Sequence, residues 1–158
     1  MIRIGHGYDV HRFDPDSENI VLGGVTIPFE QGLLAHSDGD VAIHALIDAI
    51  LGALALGDIG QHFPDNDATY KNVDSTLLLA STIDMMQEKG YALSNCDITI
   101  IAEKPKLAQY IPQMKDALAY ECKCHQTQIS VKATTEEGLG IAGKGIAAHA
   151  VVLLEKRT

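Results

Sequence analysis

Residues 36–57 read HSDGDVAIHALIDAILGALALG, a short polar cluster followed by an apolar run. Ser37 or Asp38 is a suitable helix N-cap and Gly57 is a suitable end, so the stretch predicts a helix that runs to Leu56. The predicted helix is apolar almost all round, which is typical of a helix in the protein interior. The stretch therefore predicts a buried helix.

Three polar side chains interrupt this apolar helix. Asp40, His44 and Asp48 recur at four-residue spacing, which places them on one face. Buried polar groups need partners, because an unpaired one costs free energy. A metal site would satisfy this stripe, and so would water or backbone groups.

Strands alternate with helices on both sides of the buried helix, which predicts an α/β fold, an α+β two-layer sandwich. Hydrophobic alternation, β-branched residues and turn signals define the segments. Strands are predicted at residues 2–12, 97–102, 129–134 and 146–154, with a hairpin or bent strand at 20–27, and further helices at 75–89 after an Asp74 cap and from Pro112 to about Cys122.

The composition limits the class of protein. The chain has 158 residues, a mass of 17.0 kDa and a hydrophobic fraction of 46%, which fits one domain over residues 1–158. A net charge of −9 and a pI of about 5.1 argue against a nucleic-acid or anionic-membrane partner. No uninterrupted apolar run reaches the ~18–20 residues of a membrane span.

The N-terminus has no signal-peptide core, and the chain has an odd number of cysteines, Cys96, Cys122 and Cys124. We therefore expect a cytoplasmic protein with reduced thiols.

Asp9, His11 and His44 form a candidate metal site. Residues two apart on a strand point to the same side, so Asp9 and His11 are expected to aim at one point. Two imidazoles and one carboxylate suit Zn²⁺, and three protein ligands leave one position of a tetrahedral ion open for chemistry. The alternative is that these are ordinary surface polar residues near a chain end.

The glycine-rich segment 138–145 matches two phosphate-binding patterns only superficially. Residues 138–143 fit G-x-G-x-x-G, but a strand rather than a helix is predicted to follow. The P-loop pattern needs Ser or Thr after Lys144, where Gly145 stands. What remains is a flexible loop whose backbone N–H groups and Lys144 are able to contact a phosphate.

Motifs along nearly the whole chain resemble those of the 2-C-methyl-D-erythritol 2,4-cyclodiphosphate synthase family, in their order as well as their spacing. They are residues 5–11 (GHGYDVH), 34–45 (LAHSDGDVAIHA), 56–60 (LGDIG), 63–65 (FPD), 101–106 (IAEKPK) and 131–137 (VKATTEE). The resemblance implies an enzyme of the non-mevalonate isoprenoid pathway. Its substrate is a cytidine diphosphate derivative that cyclises with release of CMP, which makes the enzyme a metal-dependent phosphorus–oxygen lyase.

The resemblance also implies roles for individual residues. Asp9, His11 and His44 match the ligands of one Zn²⁺ per subunit, and Glu137 matches the ligand of a second ion, Mg²⁺ or Mn²⁺. His36 and Thr135 match residues assigned to transition-state stabilisation. The substrate-binding set is Asp9, His11, His36, Ser37, Asp58, Ile59, Gly60, Phe63, Pro64, Asp65, Asn66 and Asp67 toward the methylerythritol and phosphate, and Ala102, Lys106, Leu107, Ala108, Ala133, Thr134, Thr135, Glu137, Ile141 and Lys144 toward the cytidine diphosphate and the glycine-rich loop.

The family is a homotrimer of ferredoxin-like subunits, each with a mixed sheet and helices on one face, and its active sites lie between subunits. The chain departs from the family in the loop before its last strand, which is about two residues shorter and lacks an Arg and a Glu. Lys144 is expected to take the place of that Arg, and Glu136 is expected to be a solvated carboxylate. The alternative functions are a non-catalytic metal- or ligand-binding trimer and a zinc hydrolase of another phosphate ester.

Overall fold

The computed structural model describes residues 1–157 and contains seven strands and four α-helices within them. The strands are β1 (Ile2–Asp14), β2 (Ile20–Leu22), β3 (Val25–Ile27), β4 (Gly32–Leu33), β5 (Tyr91–Ile101), β6 (Ile129–Thr134) and β7 (Gly145–Lys156). The helices are α1 (Val41–Ala53), α2 (Ile59–His62), α3 (Ser75–Glu88) and α4 (Ile111–Glu121), with 3₁₀ turns at Ala68–Tyr70 and Gln126–Gln128.

Five strands form one mixed sheet in the order β4-β1-β7-β5-β6, and β2 and β3 form a separate hairpin. All neighbours in the large sheet are antiparallel except β5 and β6, which are parallel and are joined through α4. The predicted mixed sheet with helices is confirmed. The predicted ferredoxin-like order is wrong. A ferredoxin-like fold runs β-α-β-β-α-β. Here β6 and β7, the last two strands of the chain, follow each other without a helix between them, and β6 is parallel to β5.

The helices cover one face of the sheet. Along β1 the buried residues alternate with exposed ones, and the core residues of β7 from Ala148 onward and of β5 from Cys96 onward follow the same period of two. The opposite face carries large exposed apolar side chains: Ile2, Ile4, Tyr8 and Val10 on β1, and Val151 on β7. An uncovered apolar sheet face of this kind marks a site of association.

Two glycines allow α1 to lie directly against β1. A Cβ atom on Gly7 would overlap the carbonyl oxygen of Ala45, and one on Gly5 would overlap that of Ala49. The strand and the helix therefore approach at backbone distance, closer than any side chain on β1 would permit. This close approach brings His44 on α1 to the end of β1 that carries Asp9.

The predicted boundaries of α1 are wrong at both ends. Its N-cap is Asp40, whose carboxylate accepts from the N–H of Ile43, because Gly39 (φ 74°) turns the chain after the expected caps. The helix ends at Ala53 rather than Leu56. Ala55 adopts a left-handed conformation (φ 57°) and its N–H bonds to Gly52, which completes a Schellman-type end before Gly57 is reached.

The remaining predicted segments are confirmed, with differences in length. The second and third predicted helices are α3 and α4, and the hairpin turns at Gly23 and Gly24. The strand predicted at 97–102 begins six residues earlier, at Tyr91. The first half of this strand is held by pairing with β7, and its sequence has no strand-like alternation from which it was predictable. The two-residue strand β4 and the helix α2 were not predicted.

Two further expectations concern features other than secondary structure. The three cysteines are free, and burial raises the pKa of the Cys96 thiol to about 12, which makes it unreactive. Within residues 1–157, no helix has the length and apolar character needed to cross a membrane.

Candidate metal and substrate site

Asp9, His11 and His44 meet at the end of β1 that faces α1. The Asp9 Oδ2 atom lies 3.2 Å from His11 Nε2 and 3.0 Å from His44 Nδ1. The three ligand atoms lie within 4.8 Å of one another, and these residues are the one group of three or more such side chains found within residues 1–157. The structure thus brings together the three residues predicted to bind zinc.

Neighbouring groups fix which ring nitrogens face this point. His11 Nδ1 lies 2.9 Å from the carbonyl oxygen of Leu34, which only accepts, so Nδ1 carries a proton and donates it. Ser75 Oγ donates to a carboxylate oxygen of Asp38, and it therefore accepts from His44 Nε2 at 2.8 Å. In the neutral rings, the nitrogens that remain, His11 Nε2 and His44 Nδ1, present lone pairs toward Asp9; when either nitrogen carries a proton, it donates that proton to Asp9 Oδ2.

This arrangement fits a bound cation. Two nitrogen lone pairs and a carboxylate oxygen converge, so they repel one another unless a proton or a metal ion lies between them. Each histidine donates its other N–H to a protein oxygen, the usual support for a metal-binding imidazole. Asp38 is held in turn by the backbone N–H of Ser75 at 2.9 Å, which makes the support around His44 rigid.

The charges in the site are strongly coupled. Burial disfavours the ionised form of Asp9, but hydrogen bonds from His11 and His44 outweigh it and hold the Asp9 pKa well below its usual range. The hydrogen bond to Asp9 raises the pKa of His11. The carboxylate is therefore ionised at neutral pH, as a metal ligand must be.

A cavity of about 140 Å³ opens beside these three residues. Besides the three, it is lined by His36, Ser37, Asp48, Ile59, Gly60, Phe63, Asp65, Tyr70, Val73 and Leu78. The Nε2 atom of His36 is buried and has no hydrogen-bond partner within residues 1–157. A buried donor or acceptor left without a partner in a cavity is available to a ligand.

The wall of the cavity is held by Asp48, the last residue of the polar stripe. Its Oδ1 atom accepts from the backbone N–H of Ile59 at 2.7 Å, which ties the start of α2 to α1. Burial raises the pKa of Asp48. The three members of the stripe thus have separate roles: Asp40 accepts from the N–H groups of Gly23, Gly24 and Ile43, His44 faces Asp9, and Asp48 holds the loop.

Four residues predicted to bind the methylerythritol part lie outside this cavity lining: Asp58, Pro64, Asn66 and Asp67. Two of them have structural roles instead. Asp58 caps α2 by accepting from Gln61 N–H, and Asp67 caps the following 3₁₀ turn by accepting from Thr69 N–H. Their carboxylates shape the loop that carries Ile59, Phe63 and Asp65 into the cavity.

A second pocket, of about 270 Å³, lies where β5 and β6 end. Its lining contains every residue predicted for the cytidine side apart from the loop: Ala102, Lys106, Leu107, Ala108, Ala133, Thr134 and Thr135. Ala102 N–H bonds to Thr134 O, which joins the two segments directly. Ala102 and Leu107 are buried, whereas Lys106 and Thr135 are exposed.

The glycine-rich loop holds the remaining predicted residues. Ile141 and Lys144 line a shallow cleft with His11 and Arg12, so the loop lies beside the candidate metal ligands. Glu137 is exposed, with a positive φ of 53° and a contact of 3.4 Å from Thr135 Oγ1, and it lines neither the metal-side cavity nor the cytidine-side pocket. The expectation for Glu136 is wrong: its carboxylate accepts from Ile141 N–H at 2.6 Å and closes the loop.

Sequence reasoning missed Asp38 and Ser75 as supports of His44, and Tyr70, Val73 and Leu78 as cavity lining. Asp38 was assigned to a helix cap because the spacing permits it. Ser75 lies 31 residues after His44 and only the fold brings them together. No local pattern distinguishes it from any serine in the first turn of a helix.

Comparison with known proteins extends this picture to the whole chain. A model of the YgbB family matches residues 2–155. A protein of Vibrio vulnificus (strain CMCP6) named 2-C-methyl-D-erythritol 2,4-cyclodiphosphate synthase is 55% identical over 159 residues, covering 99% of this chain and 100% of that protein. A protein of the same name from Cronobacter sakazakii is 58% identical over 157 residues, covering 98% of each.

Solved structures agree with the fold. The bifunctional IspDF from Campylobacter jejuni matches with a TM-score of 0.93 and 43% identity, over 99% of this chain and 42% of that one. A CDP complex of IspF from Plasmodium falciparum matches with a TM-score of 0.86 and 37% identity, over 99% of this chain and 97% of that one. The family model and these relatives span almost the full length described here, and the chain therefore belongs to the YgbB family.

Proposed function

We propose that the chain cyclises 4-diphosphocytidyl-2-C-methyl-D-erythritol 2-phosphate to 2-C-methyl-D-erythritol 2,4-cyclodiphosphate with release of CMP, in the non-mevalonate isoprenoid pathway. The relatives that match from end to end carry the name of this synthase. The observation that carries the proposal is the convergence of Asp9, His11 and His44 beside a cavity in which the buried Nε2 atom of His36 lacks a hydrogen-bond partner within residues 1–157. A cytoplasmic location is part of the proposal, since the free cysteines suit a reducing compartment.

The reaction determines what the residues must do. An oxygen of the 2-phosphate bonds to the β-phosphorus, and the bond from that phosphorus to the CMP oxygen breaks. The attacking phosphate is already an anion and CMP leaves as one, so no strong base is required. The chain must hold two anionic groups in line and offset their repulsion, which calls for cations and hydrogen-bond donors.

Asp9, His11 and His44 would hold Zn²⁺ through Oδ2, Nε2 and Nδ1. The fixed tautomers of the two rings and the ionised carboxylate suit this ion. Bound zinc supplies a Lewis acid that polarises a phosphate oxygen. Glu137 would hold the second ion, Mg²⁺ or Mn²⁺, which commonly uses one protein carboxylate together with substrate phosphates and water.

The remaining residues bind and orient the substrate. Ile59, Gly60 and Phe63 form the wall against the methylerythritol carbons, with Asp65 on the polar side of the same cavity. His36 would donate from Nε2 to a phosphate oxygen as negative charge moves onto it. Thr135 would do so from the cytidine side, where its hydroxyl lies beside Glu137.

We also propose that the active site forms between two copies in a homotrimer. Asp9 and Ala133 lie in one row across the sheet, Asp9–Ala148–Ile100–Ala133. Three strand spacings separate the ends of that row by about 14 Å. Ala148 and Ile100, which lie between them, are both 0% exposed beneath the helices, so one substrate cannot cross that face of one chain. Two copies would place the metal side of one beside the cytidine side of the next.

The direct test incubates the purified protein with the diphosphocytidyl substrate and follows the products by phosphorus NMR. The proposal requires CMP and the cyclic diphosphate to appear together. A linear product would instead indicate a zinc hydrolase, and no turnover would indicate a binding protein. His11→Ala should lose bound zinc and turnover, while His125→Ala, at the exposed N-cap of the second 3₁₀ turn, should keep both.

The shared site is tested by mixing two inactive variants. Light scattering should give about three times the 17.0 kDa chain mass. Refolding His11→Ala together with Glu137→Ala should restore about a quarter of the wild-type rate, because random assembly leaves that share of sites with both halves intact. No recovery in the mixture would contradict a site built from two chains.

A further inference from the structure

Two cysteines, Cys122 and Cys124, stand at the end of α4 and take no part in the proposed reaction. The helix ends in a Schellman turn, in which the N–H of Lys123 donates to Tyr120 O at 3.1 Å and the N–H of Cys124 donates to Ala119 O at 3.1 Å. Lys123 has the left-handed backbone that this turn needs, with a φ of 53°. The turn therefore folds Cys124 back toward the helix end that carries Cys122.

Both thiols lie on the inner side of this turn. Cys122 is 2% exposed and belongs to the hydrophobic core, and Cys124 is half-buried and packs against the same core. Lys123 between them is exposed, and its Nζ atom lies 2.7 Å from a carboxylate oxygen of Asp84 on α3. The two sulfurs are therefore neighbours, and the Cys122 thiol donates a hydrogen bond to Cys124.

The pair is remote from the proposed active site and from the sheet face that we assign to association. Cys124 precedes β6, whereas the cytidine-side pocket lies where that strand ends, about 16 Å further along it. α4 packs on the helix-covered side of the sheet, and Tyr120 in its last turn is 81% exposed. Association through the opposite face leaves this end of α4 open to solvent.

The backbone permits a disulfide between these two residues. Two residues of extended chain span at most about 7 Å, and the turn at Lys123 shortens that span. Disulfide-linked Cα atoms are usually about 4.4–6.8 Å apart. Cys122 and Cys124 are therefore within disulfide reach while α4 keeps its final hydrogen bonds.

The cysteines differ in reactivity, because the thiolate is the nucleophilic form. The hydrogen bond from Cys122 lowers the pKa of the half-buried Cys124. The same hydrogen bond, together with burial, raises the pKa of Cys122. Burial raises the pKa of Cys96 to about 12, so that thiol stays protonated. An oxidant is therefore expected to react first at Cys124, with Cys122 as the adjacent second thiol.

We propose that Cys122 and Cys124 form a reversible oxidation site, at which hydrogen peroxide converts the two thiols to a disulfide. The Cys124 thiolate attacks one peroxide oxygen, the O–O bond breaks and hydroxide leaves, so that Cys124 becomes a sulfenic acid. The Cys122 sulfur then bonds to the Cys124 sulfur and the S–O bond breaks. The oxygen leaves as water with the proton of Cys122. In total the thiols lose two electrons and two protons, and peroxide becomes two water molecules.

The test treats the purified protein with hydrogen peroxide at neutral pH, blocks the remaining thiols and digests the chain with trypsin. Trypsin cleaves after Lys123, between the two cysteines. A disulfide should therefore join peptides 116–123 and 124–132 in the mass spectrum, and a thiol reductant should separate them. Cys96 should stay reduced. The measurement reads the covalent state of the chain, so its result does not depend on turnover of the diphosphocytidyl substrate.

Three variants separate the roles of the cysteines, with melting temperatures measured to verify that each is folded. Cys122→Ser should lose the linked peptides and hold Cys124 as a sulfenic acid, which dimedone captures. Cys124→Ser should lose them without a sulfenic acid on Cys122. Cys96→Ala is the matched control and should form the linked peptides at the wild-type rate.

Three results would overturn the proposal. The first is the absence of linked peptides at a peroxide concentration that oxidises free glutathione. The second is a disulfide that includes Cys96. The third is a sulfenic acid that accumulates on Cys122 in Cys124→Ser, because Cys122 would then be the thiol that peroxide attacks.

Discussion

Gly7→Ala is the substitution that tests most directly how the fold positions the candidate metal site. Gly7 lies on the face of β1 that contacts α1, two residues before Asp9. A Cβ atom there would overlap the carbonyl oxygen of Ala45, a backbone atom in the middle of α1. Neither partner is the end of a flexible side chain, so the strand or the helix must move as a unit.

The loss of stability in Gly7→Ala follows from the rigidity of the strand and the helix. To restore an ordinary separation, α1 must retreat by more than about 1 Å, and the dispersion attraction between the helix and the sheet weakens steeply over that distance. Overpacking a core costs about 1–3 kcal/mol. The cost here should lie at the upper end of that range, because both of the segments that must move apart are backbone. The reduced freedom of alanine in the unfolded chain offsets about 0.4–1 kcal/mol. We therefore expect the free energy of unfolding to fall by about 2–3 kcal/mol.

The same movement should weaken zinc binding. His44 is carried by α1 and Asp9 by β1, so a retreat of the helix lengthens the 3.0 Å between His44 Nδ1 and Asp9 Oδ2. Metal ligands need placement within about 0.5 Å, so zinc affinity should fall by about tenfold or more. The measurements are urea unfolding at one fixed protein concentration and zinc competition against a chelator.

Gly52→Ala is the matched control, since Gly52 lies on α1 and the nearest atom to a new Cβ is 4.0 Å away. That variant should gain up to about 1 kcal/mol of stability from the higher helix propensity of alanine. The reasoning is refuted if Gly7→Ala unfolds at the same urea concentration as the parent, or if both glycine variants change stability in the same direction.

Three other substitutions test separate parts of the structure. Ser75→Ala removes the nearer hydroxyl acceptor for His44 Nε2, at 2.8 Å against 3.2 Å for Ser37 Oγ, and should lower zinc affinity about 10- to 100-fold by chelator competition; Ser94→Ala should not, and equal affinities would mean that Ser37 or packing alone orients the ring. Asp40→Ala leaves three backbone N–H groups without their acceptor and should lower the free energy of urea unfolding by about 2–4 kcal/mol; a loss below about 1 kcal/mol would contradict this. Ala55→Gly relieves a left-handed backbone at an exposed position and should stabilise by about 1 kcal/mol; a lower melting temperature would count against it.

Much of the fold was predictable because the relevant signals are local. Alternation along β1, the β-branched residues of β6 and β7, and the Asp74 cap of α3 each act over a few residues, and each was confirmed. The boundaries of α1 were not predictable in the same way. Ser37, Asp38 and Asp40 are all chemically able to cap, and the turn at Gly39 and the hairpin N–H groups decide in favour of Asp40.

In the candidate site, too, the sequence determined some features and the tertiary structure determined others. Asp9 and His11 share a face because a strand has a period of two, so the sequence by itself determined that pair and, through its motifs, the family. The sequence also named His44 as the third ligand, but only the tertiary structure showed that its ring reaches Asp9, that Ser75 and Leu34 select the ring nitrogens, and that Asp48 holds the loop instead of a metal. Those partners are far apart in the chain. The close approach of α1 to β1 over Gly5 and Gly7 is what brings His44 to Asp9. Spacing along a sequence determines the direction in which side chains point within one helix or strand. The distance between two such elements depends on how their backbones pack.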